Sequence, residues 1–218
     1  MFGFWWVAAA LAGAPAELQD ALSLPPGEVH LTDEPRVGKK KAPYTVLQIS
    51  DFACPHCAAA FPQLIAWVQT EPKVQLRFST YPLTGECNPN VGRTGDRHRC
   101  NAAAGAWCAE QQHQFLPVAT ALFNAHGEVD TPVRNAVRSS TDSERWNACL
   151  VSPEAWNAVV EGTKLGADLQ ITGTPTFFVR GILGKEWVQV SGGVDTVKAV
   201  VEAHRSGVRF DRPAPTAE

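Results

Sequence analysis

A β-branched, aromatic run leads directly into Cys54-Pro55-His56-Cys57, and an amphipathic helical pattern follows. This junction limits the possible folds more than any other stretch of the chain. The run, residues 44–52 (YTVLQISDF), has the pattern of a buried strand. Apolar Phe61, Leu64, Ile65 and Val68 then recur at helical spacing up to about Thr70. In a helix that opens here, Cys54 is the N-cap and Pro55 occupies the first helical position, where a missing N–H costs nothing. Pro62 is expected to kink it. Two cysteines at such a junction have three uses: a metal clip, a permanent disulfide, or a thiol pair that cycles between reduced and oxidised forms.

Residues 73–81 alternate and predict a second strand, so residues 42–84 read as a βαβ unit with a right-handed crossover. Residues 84–99 are rich in Gly, Pro, Asn and Arg and read as loop. Helical signals dominate from there to about Asp168. They comprise an Ala-rich segment over 101–112, a break at Pro117, and a turn ended at Gly127. Thr131-Pro132 then supplies a cap, Thr141 with Glu144 a capping box, and Ser152-Pro153 the start of a last helix. Residues 174–180 predict a third strand and 186–191 a fourth, joined through Gly181 and Gly184 as a hairpin. Val194, Val197, Val200 and Val201 line one face of a closing helix. Residues 16–41 read as a tether with at most one short strand near 28–31, and 207–218 as a flexible tail.

With these elements in place, Cys54-Pro55-His56-Cys57, Pro62 eight residues beyond the first cysteine, and Gly173-Thr174-Pro175-Thr176-Phe177-Phe178 opening a later strand together resemble the DsbA-type thiol-disulfide oxidoreductases. The resemblance runs from about Pro43 to His204. It implies an α/β, thioredoxin-like fold (βαβ…ββα) with an inserted α-helical domain: 42–84 and 168–206 form the two parts of the fold, and 85–167 the loop and helical insertion. It also implies a cis Thr174–Pro175 bond packed against the cysteine pair, with Thr174 and Pro175 binding an extended substrate segment. The implied activity is donation of the Cys54/Cys57 disulfide to cysteines of folding, exported proteins by a monomer without a cofactor. A membrane quinone-linked reoxidant of the DsbB or VKOR kind is implied as partner. The chain departs from the family at Gln48, six residues before Cys54, where a buried acid is usual. A neutral amide cannot accept a proton from Cys57. Asp51, the nearest carboxylate, reads as a turn or capping acid rather than a base.

The chemistry follows from position. A thiolate attacks disulfides and a thiol does not. Cys54 at a helix N-terminus faces unpaired N–H groups and the positive end of the macrodipole, which favour the anion. His56 adds a donor or a positive charge. Cys57, one turn inward, is expected to be more buried and to resolve the mixed disulfide. The alternatives are a reductase or isomerase on the same fold and, from another class, a thioredoxin-like copper-binding module using Cys54, Cys57 and a distant His. A structural zinc site needs four ligands, and no second CxxC or HxxxH is present, so no metal is assigned.

Cys87, Cys100, Cys108 and Cys149 permit three pairings. If 100–108 is helical, its ends lie about 12 Å apart at about 1.5 Å rise per residue, beyond the roughly 7 Å a disulfide bridges. That removes Cys100–Cys108 and leaves two patterns: Cys87–Cys100 with Cys108–Cys149, which is favoured, or Cys87–Cys108 with Cys100–Cys149. Structural stapling is expected rather than a second redox relay. Arg93, Arg97 and Arg99 read as solvated loop charge, and Trp67, Trp107, Trp146 and Trp156 as packing residues.

The 19 basic and 22 acidic side chains give a net charge of -3, which creates no field for nucleic acid or an anionic membrane. The opening MFGFWWVAAALAGAPA is an apolar run with small residues in the pattern of a cleavage site. Residues 1–15 therefore read as a signal-like or anchor segment, and the protein as periplasmic or otherwise extracytoplasmic.

Overall fold

The computed structural model describes residues 13–32 and 34–213, so most of the signal-like segment and the last five residues of the expected tail lie outside the described residues. In chain order the elements are α1 (Ala16–Asp20), β1 (Leu22–Ser23), β2 (Arg36–Gly38), β3 (Tyr44–Ser50), α2 (Pro55–Thr70), β4 (Val74–Thr80), α3 (Arg97–Glu110), α4 (Phe115–Asn124), α5 (Thr131–Ser140), α6 (Ser143–Leu150), α7 (Pro153–Asp168), β5 (Thr176–Arg180), β6 (Trp187–Val190) and α8 (Val194–Arg205). One six-stranded sheet is formed, in the order β1-β6-β5-β3-β4-β2.

The centre of that sheet is β3, and every one of its residues is buried. A strand covered on both faces carries a continuous apolar run instead of a clean alternation. It runs parallel to β4, as a helical crossover requires, and antiparallel to β5. Val46 and the α2 residues Phe61, Leu64 and Val68 share one core with Val197, Val200 and Val201 of α8. Leu47 and Ile49 point the other way and pack with Tyr81, Phe178, and Leu165 and Leu169 at the end of α7. This mixed α/β architecture is thioredoxin-like, with α3 to α7 between β4 and β5 in the chain.

Five phenylalanines tie the helices to the sheet. Phe52, Phe61, Phe78, Phe115 and Phe123 form a ring cluster with centroid separations from 4.6 to 6.2 Å. Tilted and edge-on ring pairs of this kind add about 0.5–1.5 kcal/mol each to area burial. On the opposite face α7 lies unusually near β4: a Cβ on Gly166 would stand 2.1 Å from the Tyr81 ring. Only a residue without a side chain permits that approach.

Several local expectations change. The stretch 16–41 supplies α1, β1 and β2, and the strand expected at 28–31 is not formed. β1 and β2 pair with β6 and β4 and satisfy backbone groups at the two sides of the sheet. Runs of two or three residues are too short for periodicity to reveal. Gly207 onward is not frayed at its start: Ala14 N–H donates to the Arg209 carbonyl at 3.0 Å and Phe210 is buried. Pro117 breaks no helix, because it sits in the first turn of α4, where no intrahelical partner is lost. The caps of α5 and α6 are Asp130, which accepts from Val133 N–H, and Asp142, which accepts from Glu144 and Arg145 N–H. A carboxylate one residue before, or one after, the expected threonine takes the role, since it accepts the same bonds and suits the helix dipole. Ser152 caps α7 as expected.

Candidate active site

Strand direction assembles the site. β3 ends at Ser50, and antiparallel β5 begins opposite it, with Thr176 paired to Ile49. Residues 174–175 and the turn into α2 therefore meet at one end of the sheet. Cys54 is the N-cap of α2 with extended φ -81° and ψ 121°, and Pro55 is the first helical residue. The assigned helix continues through Pro62 to Thr70. The Thr174–Pro175 peptide is cis. Both cysteines are free thiols, and Cys54 Sγ donates to the Thr174 carbonyl at 3.2 Å. Pro55 and His56 are exposed on the first turn, while Thr174 and Pro175 are half-buried. Cys54 retains 7% exposure and Cys57 none. Both cysteines are thus buried, the outer one keeping a small exposed area and the inner one none.

Burial pushes the Cys57 thiol up to about 12, because a dry site penalises the charged sulfur. The Ser50 and Thr174 hydroxyls and the Asp51 backbone N–H act against that trend, and the neighbouring Cys54 adds to it. Gln48 is fully buried, and its Nε2 donates to Ser50 Oγ at 2.8 Å.

Asp51 is a structural acid. Its side chain is inaccessible and paired with Arg99, whose Nη1 lies 2.6 Å from Oδ2. Oδ1 accepts from Ala53 N–H at 2.8 Å and Oδ2 from Leu83 N–H at 2.7 Å. The carboxylate pins the active-site turn to the chain leaving β4 and to α3. Arg99 is therefore not solvated loop charge, and Arg97 lies 5.3 Å above the Trp156 ring. These pairings cross 48 and 59 residues of chain, and periodicity cannot register them.

Disulfides join Cys87 to Cys100, with Cα atoms 6.0 Å apart, and Cys108 to Cys149, at 5.8 Å. The first fastens the loop after β4 to α3, and the second ties α3 to α6. Trp146 reinforces the latter contact: its Nε1 donates to the Gly105 carbonyl at 2.9 Å, and a Cβ on Gly105 would meet its ring at 2.8 Å. Ser50 was not singled out in the sequence, although it lies two residues after Gln48 and so on the same strand face. Among the described residues no group of three or more His, Cys, Asp or Glu side chains is gathered for a metal, and no helix is long and apolar enough to cross a membrane.

Comparison with known proteins agrees with this geometry. The chain is similar to the Na(+)/H(+) antiporter NhaA 3 of Salinispora tropica, with 28% identity over 147 residues, 66% of this chain and 21% of that protein. It thus spans about a fifth of the curated relatives it matches. Among solved structures, Pseudomonas aeruginosa DsbA2 superposes with a TM-score of 0.63 at 21% identity, covering 80% of this chain and 96% of that one. The catalytic domain of Proteus mirabilis ScsC gives 0.61 at 17% identity, covering 81% and 92%. These likenesses show a shared fold. A family model described as thioredoxin (Thioredoxin_4) matches residues 31–198, most of the chain. With the cysteine pair at a helix start against Thr174–Pro175, the chain belongs to the thioredoxin family and carries its fold.

Proposed function

We propose that the protein is an extracytoplasmic thiol-disulfide oxidoreductase of the DsbA type, which donates a Cys54–Cys57 disulfide to cysteines of exported, folding proteins. The observation that carries this reading is the placement of Cys54 at the N-cap of α2, with its sulfur 3.2 Å from the carbonyl before Pro175. A substrate thiolate attacks Cys54 Sγ, the Cys54–Cys57 bond breaks, and its electron pair stays on Cys57. A second substrate thiolate then attacks the substrate sulfur of the mixed disulfide and expels the Cys54 thiolate. The substrate leaves oxidised by two electrons and the protein reduced by two. An extended substrate segment beside Thr174 and Pro175 pairs with the backbone there as an added strand. His56, exposed on the first helical turn, offers a donor to the departing charge. Reoxidation by a quinone-linked membrane partner of the DsbB or VKOR kind, and action as a monomer outside the cytoplasm, where disulfides persist, complete the reading.

Equilibration of the purified protein with glutathione buffers tests the direction. The oxidase reading expects a reduction potential near the roughly -120 mV of DsbA. A value near the roughly -270 mV of reducing thioredoxins overturns it in favour of a reductase. Metal content after purification separates the copper-binding alternative, which expects stoichiometric copper.

A further inference from the structure

The face of the sheet that carries Leu47 and Ile49 turns polar and basic at its end far from the cysteines. Residues paired across a sheet project to one face, as do residues two apart along a strand. Register therefore sets Gln75, Thr45, Arg180 and Trp187 in one row of that face, and Arg36 opposite Arg77 in the next. Toward the cysteines the face is covered by Leu165 and Leu169 of α7. The other end, beside residues 29–32, holds a cleft of about 500 Å3, a volume in the range of small-molecule sites. Its most buried lining is polar: Gln75 is 6% and Thr45 2% exposed, and Gln75 Nε2 donates to Thr45 Oγ1 at 3.0 Å.

His30, Arg36, Lys40, Arg77 and Arg180 all line this cleft, and no described Asp or Glu does. Glu34 and Glu110 line an adjoining cleft, and Glu28 and Glu186 another. Two of the five cations are already paired. His30 Nε2 lies 2.9 Å from Glu28, and Arg77 Nη2 donates to Glu34 Oε2 at 3.2 Å. Arg36, Lys40 and Arg180 enter no ion pair among the described residues. Arg180 lies 5.2 Å above the Trp187 ring. Like charges directly opposite on neighbouring strands repel, and Glu34 offsets only one member of the Arg36–Arg77 couple.

We propose that this cleft binds a small polyanion, a molecule with two or more phosphate or carboxylate groups, held by Arg36, Lys40 and Arg180 in the field of Arg77. Guanidinium forks match the oxygens of both groups. Several cations gathered without an acid favour a ligand of more than one negative charge. The site is separate from the disulfide chemistry and does not rest on it. From Thr45 at the cleft to Ser50 beside the cysteine turn, β3 runs about 17 Å at about 3.4 Å per residue.

Calorimetric titration of the whole protein with inorganic pyrophosphate and, separately, citrate, in a phosphate-free buffer of low ionic strength, tests the proposal. NMR of the Gln75 side-chain amide and the Trp187 indole N–H locates the binding. Saturable binding is expected for at least one probe, with both signals shifting along the same isotherm; the tighter probe shows whether phosphate or carboxylate is preferred. Arg36→Gln and Arg180→Gln are each expected to weaken binding about five- to tenfold, the loss of a charge-assisted hydrogen bond from an exposed side chain. Arg134→Gln, which removes an exposed cation on α5, leaves the affinity unchanged. Binding that Arg134→Gln weakens as much as Arg36→Gln does, or that leaves the Gln75 and Trp187 signals unmoved, is diffuse surface attraction and overturns the site. Failure of both probes to saturate in the millimolar range overturns it too.

Discussion

Replacing Asp51 with Asn removes one charge from a site where every partner is identified. The carboxylate is wholly buried and accepts from Ala53 N–H at 2.8 Å, Leu83 N–H at 2.7 Å and Arg99 Nη1 at 2.6 Å. Asn keeps one oxygen but turns an NH2 donor toward at least one of these donors. Removing one member of a buried ion pair costs about 3–5 kcal/mol, much of it from the charge left behind. Arg99 is 20% exposed and has Asp96 at 3.6 Å as a second counter-ion, so the lower end applies, about 3 kcal/mol. For a chain of this length that is about 6–12 °C in Tm. Urea unfolding of the disulfide-intact protein measures the loss, and hydrogen exchange at the Ala53 and Leu83 amides is expected to speed up in the same variant. A double-mutant cycle with Arg99→Met is expected to show a coupling of about 2 kcal/mol, because the double variant no longer strands a buried charge. A loss below about 1 kcal/mol together with additive behaviour refutes the reasoning, because the pair would then be no more than a surface ion pair.

Replacing Cys108 and Cys149 with Ala is expected to cost about 4 kcal/mol, and replacing Cys87 and Cys100 about 3 kcal/mol, from loop-closure entropy. Thiol-disulfide exchange at Cys54 is expected to persist in both, whereas a redox relay through these cysteines would abolish turnover and leave stability little changed. The pH dependence of stability reports on Cys57, which burial pushes up to about 12 from an ordinary 9.0. Between those values the unfolded chain binds fewer protons than the native one. The contribution of the buried thiol is therefore complete below about pH 9 and is lost as pH rises toward 12, with a slope of up to about 1.4 kcal/mol per pH unit. Unfolding of Cys54→Ala compared with Cys54→Ala/Cys57→Ala between pH 8 and 11 measures it; a flat difference would show that the thiol ionises freely in the native state. Tyr44, also raised by burial, cancels in that comparison.

The element pattern around the cysteine pair is legible in the chain because each element reports itself locally. The β3 run, the proline after Cys54, and the valines of α8 carry period and cap signals spanning a turn or more. The length of a helix between Cys100 and Cys108 is a local fact that excludes their pairing, but the choice between the two remaining patterns is made by the tertiary structure, which joins Cys87 to Cys100 and Cys108 to Cys149. The caps at Asp130 and Asp142 were misplaced because Thr131 and Thr141 have the same capping chemistry as their neighbours, and only the path of the backbone chooses between them. β1 and β2 were missed because two or three residues carry no period.

By itself the amino-acid sequence determined that a strand feeds a helix opened by Cys54 and Pro55, and that a Thr-Pro pair precedes a later strand. These are consequences of short-range sterics, capping and hydrophobic spacing. Tertiary structure alone decided that the Thr174 carbonyl meets the Cys54 sulfur and that Asp51 is consumed by Arg99 and two backbone N–H groups. Contacts across 120 or 48 residues are chosen by which faces pack and which buried polar atoms find partners. No local pattern encodes that choice, because burial and partner are properties of the assembled molecule.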